Sequence, residues 1–293
     1  VVTLLTTPVV KSLAQKWGAV DVPKDNRRMH DHPIPRMGGL AIFFGFILSV
    51  LLFVPITPQL QGMLLGAVII VVLGIFDDIY ALGAVLKFVI QIAAALVAVL
   101  AGNKIDVLSN PNVFSANPYW DLGWLSIPVT VIWIVAITNA VNLIDGLDGL
   151  AVGVSTISSM TLLVIALVVS EGQVALLMAA LAGACIGFMP YNINPAKIFM
   201  GDTGSTFLGY VLAVVSIQGL FKFYTIISFA VPFLMLGLPL FDTCFAFIRR
   251  IAHGQSPMHA DRSHVHHRLI DMGFSQKQAV AVLYVISAIL GLS

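Results

Sequence analysis

The sequence predicts an all-α, polytopic integral membrane protein of about ten transmembrane helices. Three observations carry that expectation. Of 293 residues, 59% are hydrophobic and only 10% are charged, whereas a soluble domain carries about 25% charged side chains. The mean hydropathy is +0.98. Eight apolar stretches lie between Gly38 and Arg249, each long enough, or nearly so, to cross a hydrocarbon core about 30 Å thick, which takes about 17 to 25 helical residues.

Taken in order, Val1 to Val10 is apolar but too short to span, and the chain starts at Val1 rather than Met. This reads as a first helix clipped at its N-terminus, with neither the n-region nor the A-x-A-like site of a cleaved signal. The loop from Asp21 to Leu40 gathers Lys24, Arg27, Arg28, His30, His32 and Arg36 ahead of Gly38-Gly39, a charge run suited to anionic head groups or a lipid phosphate. Spans then run over Leu40 to Ile56 and Gly62 to Phe76, the second short enough to need its flanks or a thinner local membrane. Asp77 and Asp78 follow Phe76 with no polar spacer. Two adjacent carboxylates repel each other, and a divalent cation or a nearby lysine relieves the repulsion. Lys87, early in the span Ala84 to Ala101, can snorkel to the interface or pair with that dyad.

A loop from Gly102 to Trp124 carries Tyr119, Trp120 and Trp124 as an interfacial aromatic belt. The span Leu125 to Val141 then leads into TNAVNLIDGLDGLAVG. Asn139, Asn142, Asp145 and Asp148 recur every third residue, so neighbours share one helical face. Gly146 and Gly149 loosen that helix and let backbone amides approach a ligand. The spacing is not that of an EF-hand, which leaves an oxygen-rich site for Mg²⁺ or a polar ligand. Spans Leu150 to Ser170 and Val174 to Pro190 precede Gly201-Asp202-Thr203-Gly204-Ser205, which opens the span Phe207 to Phe221. A carboxylate beside glycines and hydroxyls at a helix N-terminus can hold Mg²⁺ and phosphate oxygens together. Pro232 and Pro239 interrupt the span Thr225 to Ile248 and bend it. The next loop, Arg249 to Gly273, packs His259, Arg262, His264, His266, His267 and Arg268. Neighbouring arginines oppose a zinc ion and favour an anion such as a diphosphate. A partial helix from Ala279 to Ser293 closes the chain. Cys185 and Cys244 lie within apolar runs and read as small hydrophobes.

Alternating the loops between two membrane faces sorts the charges. Thirteen of the fifteen basic residues fall on one side and only Lys104 and Lys222 on the other, so the first side is cytoplasmic. All seven histidines and most carboxylates share that side. The net charge of +1 provides no basic field for nucleic acid. With no repeat or low-complexity linker, residues 1–293 read as one domain.

In chain order, the PRMGG loop, FDD, NxxNLIDGLDGL, FMGDTGS and HADRxHxHHRL together resemble the polyprenyl-phosphate N-acetylhexosamine-1-phosphate transferases, glycosyltransferase family 4. The resemblance extends from Asp21 to Gln278. It implies an enzyme of the bacterial inner membrane, multi-pass, with cytoplasmic catalytic loops. Such an enzyme passes a sugar 1-phosphate from a UDP-sugar to a membrane polyprenyl phosphate, releases UMP and requires Mg²⁺, with Mn²⁺ as the alternative ion; a homodimer is compatible with it. His264-Val265-His266-His267 and IPRMGG are similar to the N-acetylglucosamine-1-phosphate branch, which starts teichoic acid, O-antigen or arabinogalactan linkage units. The phospho-N-acetylmuramoyl-pentapeptide branch is the alternative. Carried over by motif, Asp77, Asp78, Asp202, His264, His266 and His267 are expected to be catalytic. Asn142 and Asp202 are expected to hold the metal. Asn139, Asp145, Asp148, Asn192, Phe199, Arg262 and Lys87 form the expected substrate-binding set. Either acid of the dyad could deprotonate the lipid phosphate or act as a covalent nucleophile. A secondary transporter or cation channel is the rival class, since broken helices and embedded acids also mark ion paths.

Overall fold

The computed structural model describes residues 1–23, 32–109, 119–219, 237–243 and 265–292. Its helices are α1 (Val2–Trp17), α2 (Gly39–Phe53), α3 (Pro58–Tyr80), α4 (Ala84–Leu100), α5 (Ser126–Leu143), α6 (Leu150–Val168), α7 (Gly172–Asn192), α8 (Gly201–Gly219), α9 (Val265–Asp271) and α10 (Gln276–Leu292). Residues 237–243 are also helical. The fold is therefore mostly α. The purely α expectation needs one correction: β1 (Val20–Asp21) pairs antiparallel with β2 (Ile34–Pro35), and β3 (Val107–Ser109) with β4 (Tyr119–Asp121). Both ribbons lie in polar connections, where backbone groups outside a helix need other partners. Tyr119 and Trp120 thus sit on an exposed strand.

Among the described residues, Pro58–Tyr80, Gly123–Leu143, Leu150–Val168 and Gly172–Asn192 are long and apolar enough to cross a membrane, and Gly39–Phe53, Ala84–Leu100 and Gln276–Gly291 are shorter apolar helices. Hydropathy alone misplaces several ends. α1 continues past the apolar run at Val10 to Trp17 because Thr3, Thr7, Val10 and Ala14 form one buried stripe, the helical period of an amphipathic segment. Gly18 then stops it at φ 75°, a conformation that favours glycine. α3 outruns its apolar core at both ends. Pro58 occupies its first turn, the Thr57 hydroxyl accepts from Leu60 N at 3.2 Å, and the helix carries through Asp77 and Asp78.

α8 is the axis of the bundle. Thr203 to Gln218 is buried without interruption, although the helix opens with polar residues. Small residues allow this close packing, as in other membrane helix pairs. A Cβ added at Gly39 would fall 2.0 Å from Gly204 Cα. One added at Gly74 would fall 2.4 Å from Thr203 Cα, and one at Gly209 would fall 2.7 Å from Thr138 Cα. α2, α3 and α5 therefore meet α8 backbone to backbone, which brings their polar ends together. Cys185 is fully buried on α7; Cys244 lies outside the described residues.

Candidate active site

One end of the bundle combines the C-terminal turns of α3 and α5 with the N-terminal turns of α4 and α8. Lys87 on α4 joins them: its Nζ donates to Asp77 Oδ2 at 2.8 Å and to Asp202 Oδ2 at 2.9 Å. Asp77 Oδ1 accepts from Leu82 N at 2.7 Å, which fixes the carboxylate against the turn between α3 and α4. From α5, Asn142 Nδ2 donates to Asp202 Oδ1 at 3.1 Å and to Ser205 Oγ at 2.8 Å. Asn139, nearly one turn earlier, donates to Gln91 Oε1 at 2.6 Å and to its own helix at Val135 O, 2.8 Å. Asp77, Lys87, Gln91, Asn139, Asn142, Asp202 and Thr206 line a small cleft together with Leu73 and Gly74.

The adjacent carboxylates of the dyad point to different places, because consecutive helical residues face about 100° apart. Asp77 lines the cleft. Asp78 turns under α8, where its Oδ1 accepts from Asp202 N at 2.9 Å and its Oδ2 from Thr203 N at 3.1 Å and Thr203 Oγ1 at 2.6 Å. It satisfies amides that would otherwise be orphaned at the start of a buried helix, and so holds Asp202 in place.

Asn139, Asn142, Asp145 and Asp148 do not share one continuous helix, a correction to the expectation from their spacing. α5 ends at Leu143, and Asp145 and Asp148 fall in the turn before α6, with Gly149 at φ 81°. That turn is tied down at several points. Asp148 Oδ2 accepts from Asn194 Nδ2 and Ala196 N, each at 3.0 Å. Asn192 Oδ1 accepts from Gly149 N at 3.2 Å, and its Nδ2 donates to Ile198 O at 3.1 Å. From α10, Tyr284 donates its hydroxyl to Gly149 O at 2.5 Å, and Gln276 accepts from Asn194 at 2.7 Å. Burial pushes the Asp145 carboxyl up to about 8, reinforced by the charges of Asp202 and Asp78 and opposed by Arg36.

Phe199 is placed through its backbone: its N–H donates to Pro35 O at 2.8 Å, and its carbonyl accepts from Gly38 N at 2.9 Å. The PRMGG loop is thereby docked beside the start of α8, and Arg36 in it pairs with Asp21 at 3.2 Å. The cleft and this turn lie at the same end of the bundle. Arg262 and His264 lie outside the described residues, and of His266 and His267 only the backbone, within α9, is described. Gln91 and Tyr284 are polar participants that motif reading passed over, whereas the Ser205 hydroxyl belongs to the GDTGS segment it singled out. The only sequence signal for Gln91 is an amide in the apolar run of α4, one turn after Lys87. Among the described residues no group of three His, Cys, Asp or Glu side chains could hold a metal ion unaided.

Comparison with known proteins adds an independent line. A family model described as glycosyl transferase family 4 matches residues 60–220. Bacillus subtilis has a probable undecaprenyl-phosphate N-acetylglucosaminyl 1-phosphate transferase that is 48% identical over 99% of this chain and 80% of its own length. A decaprenyl-phosphate N-acetylglucosaminephosphotransferase of Mycolicibacterium smegmatis is 35% identical over 97% of this chain and 76% of its own. A phospho-N-acetylmuramoyl-pentapeptide-transferase of Moorella thermoacetica is 32% identical over 74% of this chain and 72% of its own.

Proposed function

Because this chain belongs to glycosyl transferase family 4, we propose that it transfers N-acetylglucosamine 1-phosphate from UDP-N-acetylglucosamine to undecaprenyl or another polyprenyl phosphate, releasing UMP. This would be the first membrane step of a cell-envelope glycan. The observation that carries the reading is the junction of Lys87 with Asp77 and Asp202, which gathers α3, α4 and α8 at one helix end. A water-soluble, anionic donor and a lipid-tailed acceptor can bring their phosphates together only at a membrane surface. The names and identities of the relatives favour N-acetylglucosamine over a peptide-bearing donor.

The finer topology belongs to the same proposal: one domain of about ten spans in the bacterial inner membrane, with the cleft facing the cytoplasm. The bias of thirteen basic residues to one face supports it.

Phosphoryl transfer asks the protein mainly for positioning and charge neutralisation. An oxygen of the polyprenyl phosphate attacks the β-phosphorus of the donor; the bond from that phosphorus to the bridging oxygen breaks, and its electron pair leaves with UMP. Asp77, the dyad member lining the cleft, takes the proton from the lipid phosphate. Lys87 offsets charge on the transferring oxygens. Asp78 acts as a positioning residue through the first turn of α8. The turn bearing Asp145 and Asp148, fixed by Asn192, receives the nucleotide; Arg262, His264, His266 and His267 contribute the expected grip on the diphosphate.

The donor set suits Mg²⁺, with Mn²⁺ as a substitute. Carboxylates of Asp202 and Asp77 and the amide of Asn142 adjoin one cleft, and Mg²⁺ binds through one or two carboxylates while taking substrate oxygens and water for the rest. Asp202 and Asn142 would hold it. Bound there, the ion supplies charge neutralisation for the diphosphate.

The experiment is a donor comparison with the purified chain, polyprenyl phosphate and Mg²⁺. UMP release from UDP-N-acetylglucosamine is expected, with none from UDP-N-acetylmuramoyl-pentapeptide. The reverse preference would move the chain to the peptide branch, and release from neither would overturn the enzymatic reading.

A further inference from the structure

We propose that Gln91 is a substrate-binding residue whose Nε2 donates to the phosphate of the polyprenyl substrate from the membrane-deep end of the cleft. The inference deepens the transferase reading and rests on it.

Gln91 sits on α4, one turn beyond Lys87 and on the same inward face. It is only 3% exposed, yet it lines the cleft together with Asp77, Lys87, Asn142 and Asp202. The orientation of its amide follows from counting donors. Asn139 Nδ2 has two protons, and its contact with Val135 O at 2.8 Å fixes which end of Asn139 is the amine. The second contact of that nitrogen, at 2.6 Å, must therefore meet an acceptor, so Gln91 presents Oε1 to Asn139. The Nε2 group is left facing the cleft, and it donates to no group among the described residues. An amide donor that opens onto the cleft with no protein acceptor is available to a ligand, and an anionic phosphate oxygen is the acceptor that suits it best.

Position selects the lipid over the nucleotide. The turn of Asp145 and Asp148 lies outside the spans, at the helix ends, while Gln91 lies a turn farther into α4 than Lys87. Around the rest of the same helix Val85, Leu86, Phe88 and Val89 are exposed, with Leu86 and Phe88 flanking the face of Lys87, an apolar surface along which a prenyl chain can rest. The phosphate of a lipid approaching beside α4 reaches Lys87 and Gln91 together.

Gln91→Glu tests this, because it keeps an oxygen for Asn139 while replacing the amide donor, and Gln91→Met controls for the added acid. Losing one hydrogen bond to a charged acceptor predicts a rise of roughly 10- to 100-fold in KM for polyprenyl phosphate, with KM for UDP-N-acetylglucosamine within about twofold. Gln91→Met, which removes both the donor and the support of Asn139, should show the same lipid-specific rise. A purely structural role predicts instead that both variants lose thermal stability without a lipid-specific rise in KM; that pattern would overturn the proposal. Equal rises in both KM values would overturn it as well. An inactive parent protein would refute the transferase reading itself, and binding of radiolabelled polyprenyl phosphate to parent and Gln91→Glu protein would then judge the Gln91 contact separately, equal binding refuting it.

Discussion

Replacing each acid of the dyad in turn should give opposite phenotypes. Asp78→Ala removes the acceptor for three hydrogen bonds, at 2.9, 3.1 and 2.6 Å, that hold the first turn of α8. Each bond to a charged acceptor is worth roughly 1.5–3 kcal/mol and the terms are not additive; helix caps alone contribute about 0.5–2 kcal/mol. A total near 3 kcal/mol is a reasonable magnitude, which corresponds to an apparent Tm lowered by roughly 5–10 °C. Asp77→Asn keeps an oxygen for Leu82 N and loses only the ionic partner of a half-exposed lysine, so its Tm should stay within about 3 °C of the parent. Its turnover should fall by roughly two orders of magnitude or more, the scale of a lost general base. The assay pairs thermal unfolding of detergent-purified protein with UMP release per folded molecule. An Asp78→Ala protein that unfolds like the parent but releases no UMP would refute the division of roles.

Further outcomes follow from the same geometry. Gly39→Ala places a methyl 2.0 Å from Gly204 Cα, a backbone atom that cannot move aside; a loss of several kcal/mol, roughly the scale of severe overpacking, should appear as a collapse in folded yield on size-exclusion chromatography. Lys87→Met leaves Asp77 and Asp202 facing each other without their shared cation, and kcat should fall by about 100-fold or more in a steady-state assay. Tyr284→Phe removes the 2.5 Å bond to Gly149 O; the expected cost is about 1 kcal/mol, read as a raised KM for the UDP-sugar with an unchanged KM for the lipid. Asp145, lifted from 3.8 to about 8, keeps its proton in the folded protein where the unfolded chain has lost it. Its contribution to stability therefore declines as pH rises from 3.8 towards about 8 and is level on either side. Asp145→Asn should flatten that decline in a pH series of Tm values.

Much of this arrangement was legible in the sequence, for identifiable reasons. Long apolar runs must be buried or lipid-facing, so α2 to α8 appeared close to their places. The FDD and MGDTGS segments met as expected because each abuts a helix end. Hydropathy missed the extension of α1 through Lys11 and Lys16, since a buried stripe of Thr3, Thr7, Val10 and Ala14 holds the helix regardless of its outer face. Adjacency in the chain also hid the different destinations of Asp77 and Asp78, which depend on where α8 crosses. Gln91 carried no motif signal; its meaning comes from Asn139, far away in sequence. The three-residue spacing after Asn139 suggested one helix, but α5 ends at Leu143 and Gly149, at φ 81°, starts α6, so Asp145 and Asp148 sit in the turn between them. The expectations for Arg262 and His264 fall outside the described residues.

Transfer of phosphate with the sugar is best followed with UDP-N-acetylglucosamine radiolabelled at the β-phosphorus, supplied to the purified chain with polyprenyl phosphate and Mg²⁺. The label should enter the organic-solvent-extractable lipid in amounts equal to the UMP formed, and Asp77→Asn should slow both by roughly 100-fold or more. Label appearing as free phosphate or free sugar phosphate, or remaining in the donor while the protein conducts ions in liposomes, would contradict a transferase cleft at the junction of Asp77, Lys87 and Asp202.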